Sequence, residues 1–124
     1  MLEAALEAAR SLGIPYNVAV VDAGGHLMAF VRQDDARIAG IELAMDKATT
    51  ALCVQAATAD LAAAAQPGAE LYGIQQSNQG KTVIFGGGVP ITRDGHALGA
   101  IGASAGTVEQ DMKVVAAGAA TFHA

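Results

Sequence analysis

Two glycine-containing turns, each between apolar runs that favour strands, constrain the fold of this sequence most. The first turn, Ala-Gly-Gly, separates the run Tyr16–Asp22 from the run His26–Arg32. The second turn, Asp94-Gly95, separates Val89–Arg93 from His96–Ala103. Turns of this composition connect neighbouring antiparallel strands. We therefore predict two β-hairpins in a mostly antiparallel sheet.

Segments with helical patterns flank these hairpins. The predicted helices are Met1–Leu12, which Gly13 and Pro15 end, Ile38–Ala57, the shorter Thr58–Ala65 and Glu70–Gln76, and Thr107–Phe122, where Thr107 and Gln110 have capping-box spacing. Helices around paired hairpins favour the α+β class over alternating βαβ units. Since no linker or repeat divides the 124 residues, we predict a single domain over residues 1–124. The chain begins inside a predicted helix, which is compatible with a further N-terminal segment.

The predicted central helix has two apolar faces. One stripe contains Ile41, Met45, Ala48 and Leu52, and the opposite stripe contains Leu43, Lys47, Thr50 and Val54. A surface helix with one buried face needs only one apolar stripe. Charged residues are also only 15% of the chain, which is low for a monomer. We therefore predict that one face packs on the sheet and that the other meets a second subunit in a homo-oligomer.

Composition argues against several classes of partner. The net charge is −5 and no cluster of lysines and arginines exists, which argues against nucleic acid as a partner. No apolar run approaches the length of a membrane span, so we predict no membrane association. The single cysteine, Cys53, excludes an internal disulfide and suits a reducing compartment, hence a cytoplasmic location.

Familiar catalytic signatures are missing from the sequence. It contains no complete P-loop, no dinucleotide-binding glycine pattern, no nucleophile elbow and no metal-spaced histidine pair. Asp22 and His26 stand at the two ends of one tight turn. Either Asp22 bonds the turn amides beside an exposed histidine, or His26 acts as a ligand or proton-transfer residue. Arg32, at the end of the same hairpin, is either solvated and salt-bridged or binds an anion.

Two further charged residues and one thiol fall at unusual positions on helices. Lys47 shares a stripe with Leu43 and Val54, so its ammonium must reach past the apolar surface to water, pair with a carboxylate or meet an anionic ligand. Asp111 flanks the apolar stripe of the last helix, which predicts a semi-buried carboxylate. Cys53 lies on a polar stripe, yet for a free cysteine inert packing is the favoured interpretation.

Two glycine-rich segments could bring backbone close to a ligand. The triple glycine Gly86–Gly88 admits a ligand, another backbone or positive φ angles. The segment Gly102-Ala-Ser104-Ala-Gly106 precedes the predicted helix start at Thr107. Its amides either bind a carboxylate or phosphate, or are satisfied by the helix's own Thr107, Glu109 and Gln110.

The order of these motifs resembles the GlcG/HbpS-like haem-degrading family, which is related to the C-terminal domain of PduO. The resemblance is carried by five motifs in order: Val18-Ala-Val-Val-Asp22-Ala-Gly-Gly-His26, the strand that ends in Arg32, Ala44-x-x-Lys47-Ala48-x-Thr50-Ala51, Gly87-Gly88-Val-Pro90-Ile91 and Gly99-Ala-Ile-Gly102-Ala-Ser104-x-Gly106-x-x-Glu109-Gln110-Asp111. One departure is Ala105, where the family pattern usually has a second glycine. The resemblance covers nearly the whole chain.

The resemblance implies a profilin-like α-β-α architecture, a compact homo-oligomer that is often an octamer, and haem as a cofactor. It makes His26, among His26, His96 and the C-terminal His123, the candidate ligand of the haem iron. It implies that Gly87, Gly88 and four side chains (Lys47, Ser104, Glu109 and Asp111) help to form a ligand pocket.

Three functions stay open at this point. The first is a haem-binding accessory or sensor protein. The second is an enzyme that acts on a small anionic metabolite in a pocket between subunits, with His26 as acid or base and Lys47 binding the anion. The third is a structural oligomeric partner in a metabolic assembly.

Overall fold

A four-stranded antiparallel sheet forms the middle of the molecule in the computed structural model, which describes residues 1–122 of the chain. Its strands are β1 (Asn17–Asp22), β2 (Leu27–Arg32), β3 (Gly88–Arg93) and β4 (His96–Ser104), arranged in the order β2-β1-β4-β3. Both predicted hairpins are present, and β1 and β4 form the central antiparallel pair. The predicted α+β class is confirmed. His123, the third histidine of the sequence, lies outside the described residues.

The helices are α1 (Leu2–Leu12), α2 (Ala39–Val54), α3 (Thr58–Ala64), α4 (Ser77–Gly80) and α5 (Val108–Ala119). Gly13 ends α1 with φ 72, and the amide of Gly13 bonds Ala9 O and Arg10 O. The predicted capping box of α5 is formed by Thr107 and Gln110. Within residues 1–122, no helix is long and apolar enough to cross a membrane.

The predicted helix Glu70–Gln76 is wrong over most of its length. Only a 3-10 turn at Ile74–Gln76 is helical, and Gly73 before it adopts φ 104, which an α-helix cannot accommodate. Asn78 and Gln79, in the short α4, have φ 54 and φ 63, so the chain turns at this segment and no longer regular helix forms there.

Helices cover both faces of the sheet. On one face α1 and α5 pack over β1 and β4 through Ala5, Leu6, Ala9, Val18, Ile101, Val114 and Val115. On the other face α2 packs over the same strands through Val21, Ala48, Ala51, Leu52 and Ala100. The result is the three-layer α-β-α arrangement that the resemblance implies.

The face of α2 that meets the sheet lies between the two predicted stripes. It is made of Gly40, Ala44, Lys47, Ala48 and Ala51, whereas Ile41, Leu43 and Met45 are only half-buried. Small side chains dominate this face because the helix backbone lies almost directly on the strands. A Cβ on Gly102 of β4 would collide with the carbonyl oxygen of Ala44 and lie 2.6 Å from the Ala48 nitrogen.

Candidate functional site

A buried ion pair connects α2 and α5 at the end of the sheet where β1 begins and β4 ends. Lys47 Nζ lies 2.8 Å from Asp111 Oδ2 and donates to the carbonyl oxygen of Ala103 at 3.0 Å. The lysine is fully buried, and burial lowers the pKa of its ammonium while the Asp111 carboxylate opposes that shift. Of the three interpretations of Lys47, the structure shows pairing with a carboxylate.

Both carboxylate oxygens of Asp111 accept hydrogen bonds from the protein. Its Oδ1 accepts from Tyr16 Oη at 2.6 Å and from the amides of Gly106 and Ala105 at 3.0 and 3.3 Å. It is 3% exposed, which goes beyond the semi-buried position predicted for it. Burial, reinforced by the bond to Asp111, raises the pKa of the Tyr16 phenol well above its ordinary value. These bonds hold the Gly102–Gly106 segment against the start of α5.

Two of the predicted pocket glycines surround the lysine side chain. Gly87 has φ +124, and a Cβ there would lie 2.6 Å from Lys47 Nζ and 2.9 Å from the oxygen of Ala103. A Cβ on Gly88 would collide with the backbone carbonyl of Lys47. The close approach that the triple glycine permits is therefore made by Lys47 itself.

A cavity of about 180 Å³ lies beside this ion pair. Its lining combines three large apolar side chains (Leu43, Phe85 and Val108) with four polar ones (Arg37, Lys47, Ser104 and Asp111). The Phe85 ring centroid is 5.0 Å from Lys47 Nζ. Lys47, Ser104 and Asp111, three of the residues that the resemblance placed in a pocket, thus line the same cavity.

His26 and Asp22 lie at the opposite end of β1, roughly 17 Å away at the rise of an extended strand. His26 Nδ1 is 3.2 Å from Asp22 Oδ1, and the same oxygen accepts from the amides of Gly24 and His26 at 2.9 Å. The His26 backbone bond, then the Gly24 bond and the imidazole, lower the pKa of Asp22. The imidazole itself is 80% exposed.

Three other candidates do not join either group. Arg32 donates from Nε and Nη2 to the carbonyl oxygen of Ala36, so it braces the loop before α2. Glu109 is exposed on α5 and lies 4.0 Å from Lys113. Cys53 is exposed on α2, where it lines two clefts, so the favoured interpretation of inert packing is wrong. Its polar stripe on α2 was the correct signal.

Sequence reasoning missed Tyr16 and Arg37. The sequence predicts that Tyr16 is the first residue of a strand. No neighbouring residue indicates that its hydroxyl bonds Asp111 of α5, 95 residues later. Arg37 sits in a polar loop, where a solvated arginine is the ordinary expectation. Only the tertiary fold brings these two residues to the Lys47 region.

Comparisons with known proteins agree with this architecture. A family model described as haem degrading protein HbpS-like matches residues 1–120. The corrinoid adenosyltransferase PduO of Salmonella typhimurium is 45% identical over 114 residues, which are 92% of this chain and 34% of PduO. The chain therefore spans about a third of that relative's length.

Solved structures of relatives share the whole fold. A crystal structure of a PduOC–haem complex superposes with a TM-score of 0.94 at 43% identity, covering 98% of this chain and 88% of the other. A double mutant of Streptomyces reticuli HbpS superposes with a TM-score of 0.90 at 31% identity, covering 99% and 82%. Because the family model matches residues 1–120 and these relatives share the fold, the chain belongs to the HbpS-like family of haem-degrading proteins.

Proposed function

We propose that this chain is a haem-binding accessory or sensor protein that acts as a homo-oligomer in the cytoplasm. The observation that carries the proposal is the His26–Asp22 pair on an exposed turn. Two relatives support it, since one is a PduOC–haem complex of 0.94 TM-score and another is HbpS. The exposed thiol of Cys53 supports a reducing compartment.

The chemistry of the His26 turn fits an iron ligand. Asp22 is ionised at neutral pH and can only accept, so His26 Nδ1 is the donor of their contact. Nε2 is then the nitrogen with the free lone pair, and it belongs to a ring that is 80% exposed. A carboxylate that holds a histidine in this way is the usual second partner of a metal-bound imidazole.

The surroundings of the turn fit an apolar macrocycle. Leu27 and Met28, which follow His26, are 50% and 66% exposed. A cleft of about 210 Å³ beside Asp22 is lined by Met28, Ile91, Leu98 and Phe122, and its volume would take one edge of the ring and not the whole macrocycle. His26 would hold the iron, and these side chains would contact that edge. When bound, haem would supply an iron centre that changes redox state or binds small ligands.

Haem titration followed by the Soret band tests the proposal, with His26→Ala as the test variant and His96→Ala as its control. His96 is also exposed and also follows a glycine-containing turn. We expect His26→Ala to raise the Kd for haem by about tenfold or more and His96→Ala to leave it unchanged. Asp22→Asn should weaken binding by about tenfold, since it removes the carboxylate partner. Equal Kd values for the His26 and His96 variants would contradict the proposal.

A further inference from the structure

The cavity beside Lys47 and Asp111 holds more positive charge than its own residues neutralise. Three charged side chains line it, namely Arg37, Lys47 and Asp111, and they leave one net positive charge. Both oxygens of Asp111 are already engaged by donors from the protein. The carboxylate therefore has little capacity left to balance a second cation.

Arg37, an exposed residue at the rim of the cavity, is the cation whose donors are unused by the protein. Arg37 has no carboxylate within 4.0 Å and no side-chain hydrogen bond among residues 1–122. The Lys47 ammonium has three N–H donors, of which Asp111 and the Ala103 carbonyl take two. The Phe85 ring centroid lies 5.0 Å from the same nitrogen. Because Lys47 is fully buried, its ammonium helps to form the floor of the cavity and is not itself open to a ligand.

The remaining walls select the kind of anion. Leu43, Phe85 and Val108 are apolar, so an inorganic ion would leave them in contact with water or with charge. At about 180 Å³, the cavity is smaller than the roughly 300–1,000 Å³ of pockets for drug-sized ligands. A ligand held within this cavity is therefore an organic anion of only a few non-hydrogen atoms.

We propose that this cavity binds a small monocarboxylate, with the Arg37 guanidinium holding the carboxylate and Leu43, Phe85 and Val108 enclosing the apolar part. Arginine matches a carboxylate with two parallel donors. Lys47 and Asp111 form the floor and neutralise each other's charge, so the Arg37 guanidinium is the cation left for a ligand. This site is independent of the haem proposal, because His26 lies at the other end of β1.

Calorimetric titration with propionate tests the inference, with propionamide as the neutral ligand of the same shape. The test variant is Arg37→Met. Its matched control is Arg10→Met, because Arg10 is an exposed arginine on α1 that pairs with Glu3 and Glu7. We expect Arg37→Met to raise the Kd for propionate about ten- to a hundredfold and Arg10→Met to leave it unchanged. Propionamide should bind at least about tenfold more weakly than propionate.

Backbone amide shifts locate the binding. Propionate should move the NMR signals of Ser104, Gly106 and Val108 and leave those of the His26 turn in place. Absence of propionate binding, equal binding of propionamide, or equal effects of the two arginine variants would each overturn the inference. None of these outcomes bears on haem uptake, which depends on His26.

Discussion

Lys47 is a charge placed where a hydrophobic residue would ordinarily pack. Its side chain is fully buried on the sheet-facing side of α2, and Asp111 is its only carboxylate partner within the described chain. Attraction between such a pair largely offsets the cost of removing both groups from water. The net contribution of the intact pair to stability is therefore small, while either partner alone is costly.

Replacing Lys47 by methionine should show how much stability is lost when Asp111 is buried without its partner. The substitution keeps the length of the side chain but leaves Asp111 buried without its cation. We expect Lys47→Met to lower the free energy of unfolding by about 3–5 kcal/mol, measured by urea denaturation. Lys113→Met is the control, since Lys113 is 65% exposed and 4.0 Å from Glu109, and it should change stability by less than about 0.5 kcal/mol.

The double variant Lys47→Met/Asp111→Asn separates the cost of an unpaired buried charge from the cost of changed packing. Asparagine keeps an oxygen for Tyr16 and the loop amides but carries no charge. The combined loss should be smaller than the sum of the two single losses, because the uncompensated charge is gone. A strictly additive result, or a single Lys47→Met variant as stable as the parent, would contradict the ion-pair account.

At the scale of elements, glycines of the strands set how closely α2 lies on the sheet. Gly102 pairs with Ala19 of β1 and Gly88 of β3, and its missing side chain admits the backbone of Ala44 and Ala48. Backbone cannot move aside as a flexible side chain can. The whole helix would have to shift to accept a methyl group there.

Gly102→Ala should therefore cost about 3 kcal/mol, the upper part of the range for overpacked cores. Gly13→Ala provides the comparison, because Gly13 has φ 72 but open space around its Cβ position. Only the left-handed backbone is then penalised, at about 1 kcal/mol. Thermal and urea unfolding of the two variants measure both costs. A larger loss of unfolding free energy from Gly13→Ala than from Gly102→Ala would contradict the claim that the close contact between α2 and β4 is what excludes a side chain at Gly102.

Local patterns predicted the elements but not the contacts between them. Both hairpins and the α5 capping box follow from turn and cap chemistry within a few residues, and so does the Asp22–His26 pair. The predicted stripes of α2 are out of phase with its buried face, because Ile41 and Met45 are apolar but only half-buried. The small residues Gly40 and Ala44 form the real contact, since the facing strand has a glycine.

The Lys47 site was predicted only in part for a similar reason. Spacing marked Lys47 and Asp111 as charges close to apolar stripes, which is a helix-scale signal. Their bond to each other joins residues 64 positions apart, and the bond of Tyr16 to Asp111 spans 95. No local sequence pattern indicates which residues so far apart along the chain will meet. The partners are therefore identified only once α2, β4 and α5 pack together.

At the scale of the whole molecule, apolar side chains remain on the surface. Within residues 1–122, ten large hydrophobic side chains are between 36% and 75% exposed: Leu27, Met28, Ile38, Val54, Leu71, Tyr72, Phe85, Leu98, Val108 and Met112. Ile38 is the most exposed of them and immediately precedes α2, near the half-buried Ile41 and Met45. Such a surface favours burial against a second copy of the chain.

Sedimentation at micromolar concentration should therefore show a species larger than the 12.4 kDa monomer, and an octamer is the expectation from the family resemblance. The double variant Ile38→Glu/Met45→Glu places charges on the outer side of α2 and should shift the protein towards the monomer, since an unpaired charge is costly in an interface. Leu71→Glu, at a residue 40% exposed between α3 and the 3-10 turn, should leave the assembly intact. Circular dichroism checks that each variant is folded. A parent chain that sediments as a monomer would refute the oligomer, and equal dissociation by the two charge variants would refute the role of α2 in its interface.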